Sequence, residues 1–395
     1  MNKNNQWLLP EGVEELLPQQ AEHLDRLRRQ LLDLFRSWGY ELVMPPVMEY
    51  LETLLIGRGD ELDLKTFKFT DQLNGRLMGV RADITPQIAR IDAHHLRRDF
   101  PSRLCYAGIV LHTRADGHGV SREPMQVGAE LYGHGGVESD VEIVTLMVET
   151  LLTTGIEGVY IDLGHVGIFR ALAEAADLTH EQETHLFDVM QRKAKPEMSE
   201  IFANWGLATK WRNIFMTLVD LNGDASVIEK ARQELQGTAD EVITALDELQ
   251  QVATDVRQRL PDLKMHFDLA ELRGYHYKTG VVYAAFVPGH GRELARGGRY
   301  NQVGAQFGRD RPATGFSADL KTLISVSAES SPETNAILMP YTVDPTLLQL
   351  VSTLREKGER VISLLPGQQG TAIDLGCDRQ IIKDNNNLWV VVSLS

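Results

Sequence analysis

Four short apolar-rich runs, KTFKFTD, GRLMGVR, RLCYAGIVLH and MQVGAELYG, lie between Lys65 and Gly133. Their close spacing, with turn residues between them, predicts an antiparallel sheet. The last run assigns the faces. Gln126, Gly128 and Glu130 alternate with Val127, Ala129 and Leu131, and side chains two apart share one face of a strand. One face therefore reads as core. The other is either a polar stripe toward water or the floor of a binding site, with Gly128 leaving space for a ligand close to the backbone.

The flanking elements extend this to an α+β chain. Leu24, Leu27, Leu31, Leu34, Phe35 and Trp38 recur at helical spacing over residues 20–38, with Gly39 as the stop. YELVMPPVMEY is strand-like up to its paired prolines, which a central ladder excludes. Glu138 to Thr154 reads as a helix with acidic residues in its first turn. GVYIDLGH reads as a further strand. Residues of about 166–262 turn Ala-, Glu-, Gln- and Leu-rich with helical periodicity, which predicts a helical insertion. Sheet character returns with KMHFDLAEL and GVVYAAFV, followed by a Gly-rich turn, ARGGRY, and a strand-to-helix pattern, ATGFSADLKTLI. SAESSPETN marks a linker between a core of 1–326 and a small α/β unit of three strands over 335–395.

Bulk properties narrow the function classes. The net charge of −15 argues against broad nucleic-acid binding, which rests on a basic surface. Cys105 and Cys377 belong to no Cys-x-x-Cys pattern, so neither a zinc site nor a disulfide framework is expected. The histidines lack metal-ligand spacing. No apolar run reaches a membrane span, and MNKNNQWLLPEG lacks the layout of a secretory signal. A cytoplasmic protein without metal or cofactor is expected.

Chemistry concentrates in a few segments. In MGVRADITPQIAR, Arg81, Asp83 and Thr85 alternate and would share one side of an extended chain. A cation, a carboxylate and a hydroxyl in a row suit the ammonium and carboxylate of an amino acid. The structural alternative is a helix start at Thr85-Pro86. ELRGYHYKTG is dense in Glu271, Arg273, Tyr275, His276, Tyr277 and Lys278. ARGGRY is either a phosphate-cradling turn or a tight strand-to-helix connection.

Taken in order, these segments resemble the catalytic core of histidyl-tRNA synthetase, a class II synthetase, over roughly residues 8–325. The first helix with YELVMPP is similar to the family's dimer-forming first motif. GVRADITP resembles the segment that holds the substrate ammonium, and CYAGIVLHTR…SREPMQVGAELYG the second motif with its loop. ELRGYHY and ARGGRY resemble the two histidine-specific signatures, and ATGFSADLKTL stands at the third motif. The resemblance implies a class II synthetase-like antiparallel sheet flanked by helices, with the tail a shortened anticodon-binding-like unit. It also implies a histidine pocket in which Asp83, Thr85 and Gln126 hold the ammonium, Glu130 faces the imidazole and Arg273 meets the carboxylate. The family's adjacent tyrosines read Tyr277-Lys278 here, which leaves Tyr277 or Tyr275 against the imidazole.

The departures matter as much. Adenylation relies on fixed cations where charge develops on the transferring phosphate. The two arginines that the family supplies fall at His112 and Thr322. A neutral histidine and a hydroxyl do not replace permanent bidentate donors, and removing one such donor typically costs on the order of 10²–10³ in rate. The chain is therefore expected to be non-catalytic, resembling the regulatory-subunit branch of that family, which serves ATP phosphoribosyltransferase. That resemblance implies a short catalytic subunit as partner in a hetero-octamer, self-association as a dimer, and histidine as feedback ligand of histidine biosynthesis. No tRNA and no membrane are expected as partners. The competing expectation is an active or divergent histidyl-tRNA synthetase.

Overall fold

A computed structural model describes residues 7–55, 60–115, 117, 120–271, 274, 277–301, 304–327 and 335–394. The chain divides into one compact unit of Met1–Leu16 and Leu24–Glu329 and a second of Leu17–His23 and Ser330–Ser395.

The first unit holds twelve strands among its described residues. These are β1 (Glu41–Leu42), β2 (Met48–Tyr50), β3 (Phe67–Thr70), β4 (Leu77–Val80), β5 (Ser102–Ile109), β6 (Met125–Tyr132), β7 (Tyr160–His165), β8 (Asn222–Gly223), β9 (Lys264–Asp268), β10 (Val281–Phe286), β11 (Ala295–Arg299) and β12 (Ala313–Asp319). Nine form one sheet in the order β1-β5-β6-β12-β11-β10-β7-β9-β8, and β2-β4-β3 form a second. The large sheet is antiparallel through its centre, with parallel pairs only at β1/β5 and β7/β9. Each of those pairs is bridged by long chain segments, as parallel pairing requires.

The register sets the two faces of the large sheet. Val127, Ala129 and Leu131 of β6, Phe316 and Ala318 of β12, Tyr283 of β10 and Leu163 of β7 are all buried in one apolar cluster. Several helices cover this face. Pro18–Ser37 contributes Leu27, Leu31 and Phe35, with Phe35 edge-on to Phe316 at 6.0 Å between ring centres. Val137–Thr153 contributes Val144, Met147, Val148 and Leu151, and carries Glu138 and Asp140 in its first turn, where acid complements the helix dipole. Each large side chain buried here stabilises the fold by roughly 1.5–3 kcal/mol.

Over the span read as an insertion the chain runs as helices from Val166–Ala175 to Asp240–Arg259, joined to the sheet by the two-residue strand β8. The reading of ARGGRY fails. ARGGRY is not a turn, because Ala295–Arg299 is a full strand paired with both β10 and β12. Its glycines serve close packing. A Cβ on Gly297 would lie 2.2 Å from the Gly315 carbonyl and 2.3 Å from the Tyr283 ring.

The second unit carries β13 (Ala336–Pro340), the helix Pro345–Glu356, β14 (Val361–Leu364), β15 (Cys377–Lys383) and β16 (Trp389–Ser393), in the order β14-β13-β15-β16. This is four strands, not three. The missed strand, CDRQIIK, carries three consecutive polar residues after its buried cysteine and lacks the apolar run that marked its neighbours. Ile337, Met339, Leu347, Val351, Val361 and Ile381 form the unit's core, and Asp344 caps the helix through the Thr346 amide at 2.9 Å.

Candidate ligand-binding cleft

The face of the large sheet opposite the helices opens into a cleft of about 1670 Å³. Strand alternation brings Tyr106 of β5, Gln126, Gly128 and Glu130 of β6, Gly315 and Ser317 of β12 and Gly298 of β11 to this side. Glycine, serine and alanine dominate the floor, and the polar groups converge at one end.

At that end the chain between β4 and the helix Thr85–Arg90 crosses over β6. The Gln126 Nε2 donates to Asp83 Oδ1 at 2.9 Å, and the Ile84 amide donates to Gln126 Oε1, also at 2.9 Å. Asp83 Oδ1 further accepts from the Thr85 amide at 3.0 Å, which starts the helix, with Pro86 in its first turn. The helix-start reading of Thr85-Pro86 is therefore correct for the backbone. The Thr85 hydroxyl, however, turns inward and donates to Glu130 Oε1 at 3.2 Å.

Glu130 is 1% exposed and is the hub of this end. Tyr106 donates to its Oε1 at 3.3 Å, and Tyr300 donates to its Oε2. The Tyr300 hydroxyl also lies 3.1 Å from that of Tyr132. Burial pushes the Glu130 carboxyl up to about 7; the Tyr300 hydrogen bond, the Lys278 charge and the Thr85 hydrogen bond act against burial, and the Asp83 charge acts with it. Burial also raises Tyr106, Tyr132 and Tyr300 well above the ordinary tyrosine value, so all three remain hydrogen-bond donors at neutral pH.

An aromatic wall follows. Tyr277 stacks on Tyr300, with ring centres 4.9 Å apart and planes 23° from parallel. Lys278 places its ammonium 5.4 Å from the Tyr277 ring centre and 5.2 Å from that of Tyr300, and donates to the Gly298 carbonyl at 3.1 Å. Arg273 and Tyr275, together with Leu272 and His276, lie outside the described residues.

The structure corrects two expectations at this end. Arg81 does not join Asp83 and Thr85. Its guanidinium is buried against carbonyls, donating to Ile109 at 2.9 Å and Pro45 at 2.8 Å, and it braces the sheet. The alternation that grouped the three residues breaks at Ile84, whose backbone is already helical at φ −86°, ψ −29°. Gly128 does not leave open space for a ligand either. A Cβ there would lie 2.3 Å from the Phe316 carbonyl and 2.6 Å from the Tyr106 hydroxyl, so the protein itself fills the gap.

His112 and Thr322 both line the cleft, yet each is tied into local structure. His112 Nε2 donates to the Ala82 carbonyl at 2.9 Å, since a carbonyl only accepts, while the His112 carbonyl accepts from Arg122 at 3.0 Å. The Thr322 hydroxyl donates to Asp319 Oδ2 at 2.6 Å, inside the cap that starts the helix Leu320–Val326. Neither brings a permanent cation to the cleft. Among the described residues, no group of three or more His, Cys, Asp or Glu is placed to hold a metal ion.

Three residues of this network were not singled out from the sequence. Tyr132 carried a signal, since it continues the even spacing of Gln126, Gly128 and Glu130. Tyr106 and Tyr300 carried none, because their approach to Glu130 depends on strand pairing.

Comparison with known proteins places the architecture. Residues 12–323 match the histidyl-tRNA synthetase family, and residues 334–392 match the C-terminal domain of the ATP phosphoribosyltransferase subunit HisZ. The ATP phosphoribosyltransferase regulatory subunit of Thioalkalivibrio sulfidiphilus is 56% identical over 395 residues, covering 100% of both chains. That of Alkalilimnicola ehrlichii is 54% identical over 391 residues, with 98% of each chain covered. Among solved structures, an ATP phosphoribosyltransferase regulatory subunit/histidyl-tRNA synthetase from Bacillus halodurans superposes with a TM-score of 0.84 at 26% identity, covering 95% of this chain and 97% of its own. A histidyl-tRNA synthetase from Nostoc shares the fold with a TM-score of 0.80 at 20% identity, over 98% and 97% of the two chains.

Proposed function

The chain belongs to the family of ATP phosphoribosyltransferase regulatory subunits, and on that premise we propose that its cleft is the histidine sensor of the enzyme it regulates. The partner is a short catalytic subunit, which carries the whole of the phosphoribosyl transfer in a hetero-octamer with dimerised regulatory chains. This chain itself performs no aminoacylation, binds no tRNA and acts in the cytoplasm.

One observation carries the reading. Asp83, Thr85, Gln126 and Glu130 converge at one end of the cleft, whereas His112 and Thr322 are absorbed into the protein's own hydrogen bonds. An amino-acid grip is supported, and the cations of nucleotide activation are replaced. Asp83, Thr85 and Gln126 receive the ammonium, Glu130 accepts from the imidazole N–H, and Tyr277 walls the ring. Arg273 meets the carboxylate, as the family resemblance implies.

Histidine regulates by binding one assembly state better than another. Only such differential affinity transmits a signal, typically a coupling of about 1–3 kcal/mol. The test is reconstitution with the short catalytic subunit and assay of phosphoribosyl transfer with and without histidine. Stimulation by this chain, inhibition by histidine, and loss of inhibition alone in Glu130→Gln are expected. Histidine-dependent exchange of pyrophosphate into ATP by the purified chain would overturn the reading in favour of a synthetase.

A further inference from the structure

We propose that Lys278 is a specificity-determining residue that makes the cleft take histidine with a neutral imidazole and reject the imidazolium. This rests on the histidine-sensor reading and goes beyond it by naming the protonation state that is sensed.

The geometry comes first. Lys278 Nζ stands over two stacked tyrosine rings, at 5.4 Å from the centre of Tyr277 and 5.2 Å from that of Tyr300. The hydroxyl of Tyr300 is the donor to Glu130 Oε2. The ammonium is thus held one ring away from the carboxylate that would read the imidazole, and the Gly298 carbonyl at 3.1 Å fixes it there. A cation over an aromatic face is attracted by the ring quadrupole.

The groups facing Glu130 come from every surrounding element. Tyr106 approaches from β5, Tyr132 from its own strand, Tyr300 from the end of β11, and Thr85 and Asp83 from the segment after β4. On β12, opposite Glu130, stands Gly315, which has no side chain. The tyrosines and Thr85 are neutral donors. Asp83 disfavours a charged Glu130, and Lys278 favours it.

The proton balance follows. Histidine can dock on Glu130 as a neutral imidazole donating N–H to a carboxylate. With one further proton, it docks as an imidazolium on the same carboxylate. The second arrangement adds a cation beside Lys278, and like charges in a low-dielectric site repel strongly. With Lys278 present, the charged carboxylate is sustained without a proton brought by the ligand. Without it, Glu130 retains a proton to higher pH, and the bound pair keeps that proton between carboxylate and ring.

The experiment measures histidine binding to the full chain by calorimetry from pH 7 to 8.5, in pairs of buffers of different ionisation enthalpy. The wild-type chain is expected to bind with near-zero proton uptake at pH 8.5 and an affinity that changes less than about twofold across the range. In Lys278→Met, uptake should be near zero where free Glu130 still holds its own proton and climb toward one proton above that raised titration point, where affinity should fall toward tenfold per pH unit. Lys278→Arg keeps the cation and should restore the wild-type profile, which separates charge from packing. Parallel profiles and equal proton counts for wild type and Lys278→Met would overturn the proposal and leave the histidine reading intact. Failure of the wild-type chain to bind histidine at any pH would overturn that reading itself.

Discussion

Replacing Glu130 by Gln is the most informative single change, because the structure gives the residue a cost in stability and the proposed reading gives it a role in recognition. Burial raises its carboxyl from 4.5 to about 7. The folded chain therefore binds the Glu130 proton more tightly than the unfolded chain does. Between those two values the native state holds more protons, so stability falls as pH rises. A difference of about 2.5 pH units at about 1.36 kcal/mol each gives a cost of roughly 3 kcal/mol above pH 7. Gln is nearly isosteric, accepts from Tyr300 through its oxygen, and has no charge to desolvate. Urea titrations of wild type and Glu130→Gln at pH 4.5, 6, 7 and 8 should show similar stabilities at the acid end. By pH 8 the variant should lead by roughly 3 kcal/mol. The same variant should bind histidine about 10- to 100-fold more weakly, since a hydrogen bond to a charged group contributes about 1.5–3 kcal/mol. A stability difference that does not change with pH would refute the reasoning, as would a variant less stable than wild type at pH 8.

Gly315→Ala would place a Cβ 1.6 Å from Glu130 Oε2, so the carboxylate must move. Histidine inhibition of the reconstituted enzyme should be lost, stimulation by this chain retained, and stability lowered by about 1–3 kcal/mol in denaturant titrations. Thr85→Val removes one donor to Glu130 and should weaken histidine binding about fivefold by calorimetry, in line with about 1 kcal/mol for one hydrogen bond. Arg311 forms a buried pair with Asp92 at 2.9 Å and donates to the Phe100 carbonyl at 2.7 Å. Arg311→Met leaves that carboxylate uncompensated and should cost about 3–5 kcal/mol, with much of the loss recovered in the double variant Arg311→Met/Asp92→Asn, as a double-mutant cycle would measure.

Much of the fold was legible because apolar alternation and helical spacing are local properties. β6, β10 and β12 fall within the runs that predicted them, β5 starts one residue ahead of its run, and helices run from Val166 to Arg259 over the span read as helical. Three misreadings have separate causes. ARGGRY looked like a turn because glycine is read as a breaker; here the glycines let a strand pass between the Tyr283 ring and β12. CDRQIIK, on a small sheet, showed too little apolar pattern to register as a strand. Arg81 looked like a ligand-binding cation, yet its partners are carbonyls of Pro45 and Ile109, one 36 and the other 28 positions away. In the cleft, Gln126 and Glu130 were evident from even spacing, and Asp83 and Thr85 from chemistry. Tyr106 and Tyr300 meet Glu130 from 24 and 170 positions away, a distance that no local pattern spans.

The space above Gly128 and Gly315 is taken by a tyrosine hydroxyl and by the Glu130 carboxylate. The backbone of β12 and the Glu130 head group therefore behave as one mechanical part. A shift of that strand by a fraction of an ångström, from whichever side it is pushed, re-aims the carboxylate without any intermediate side chain to absorb it.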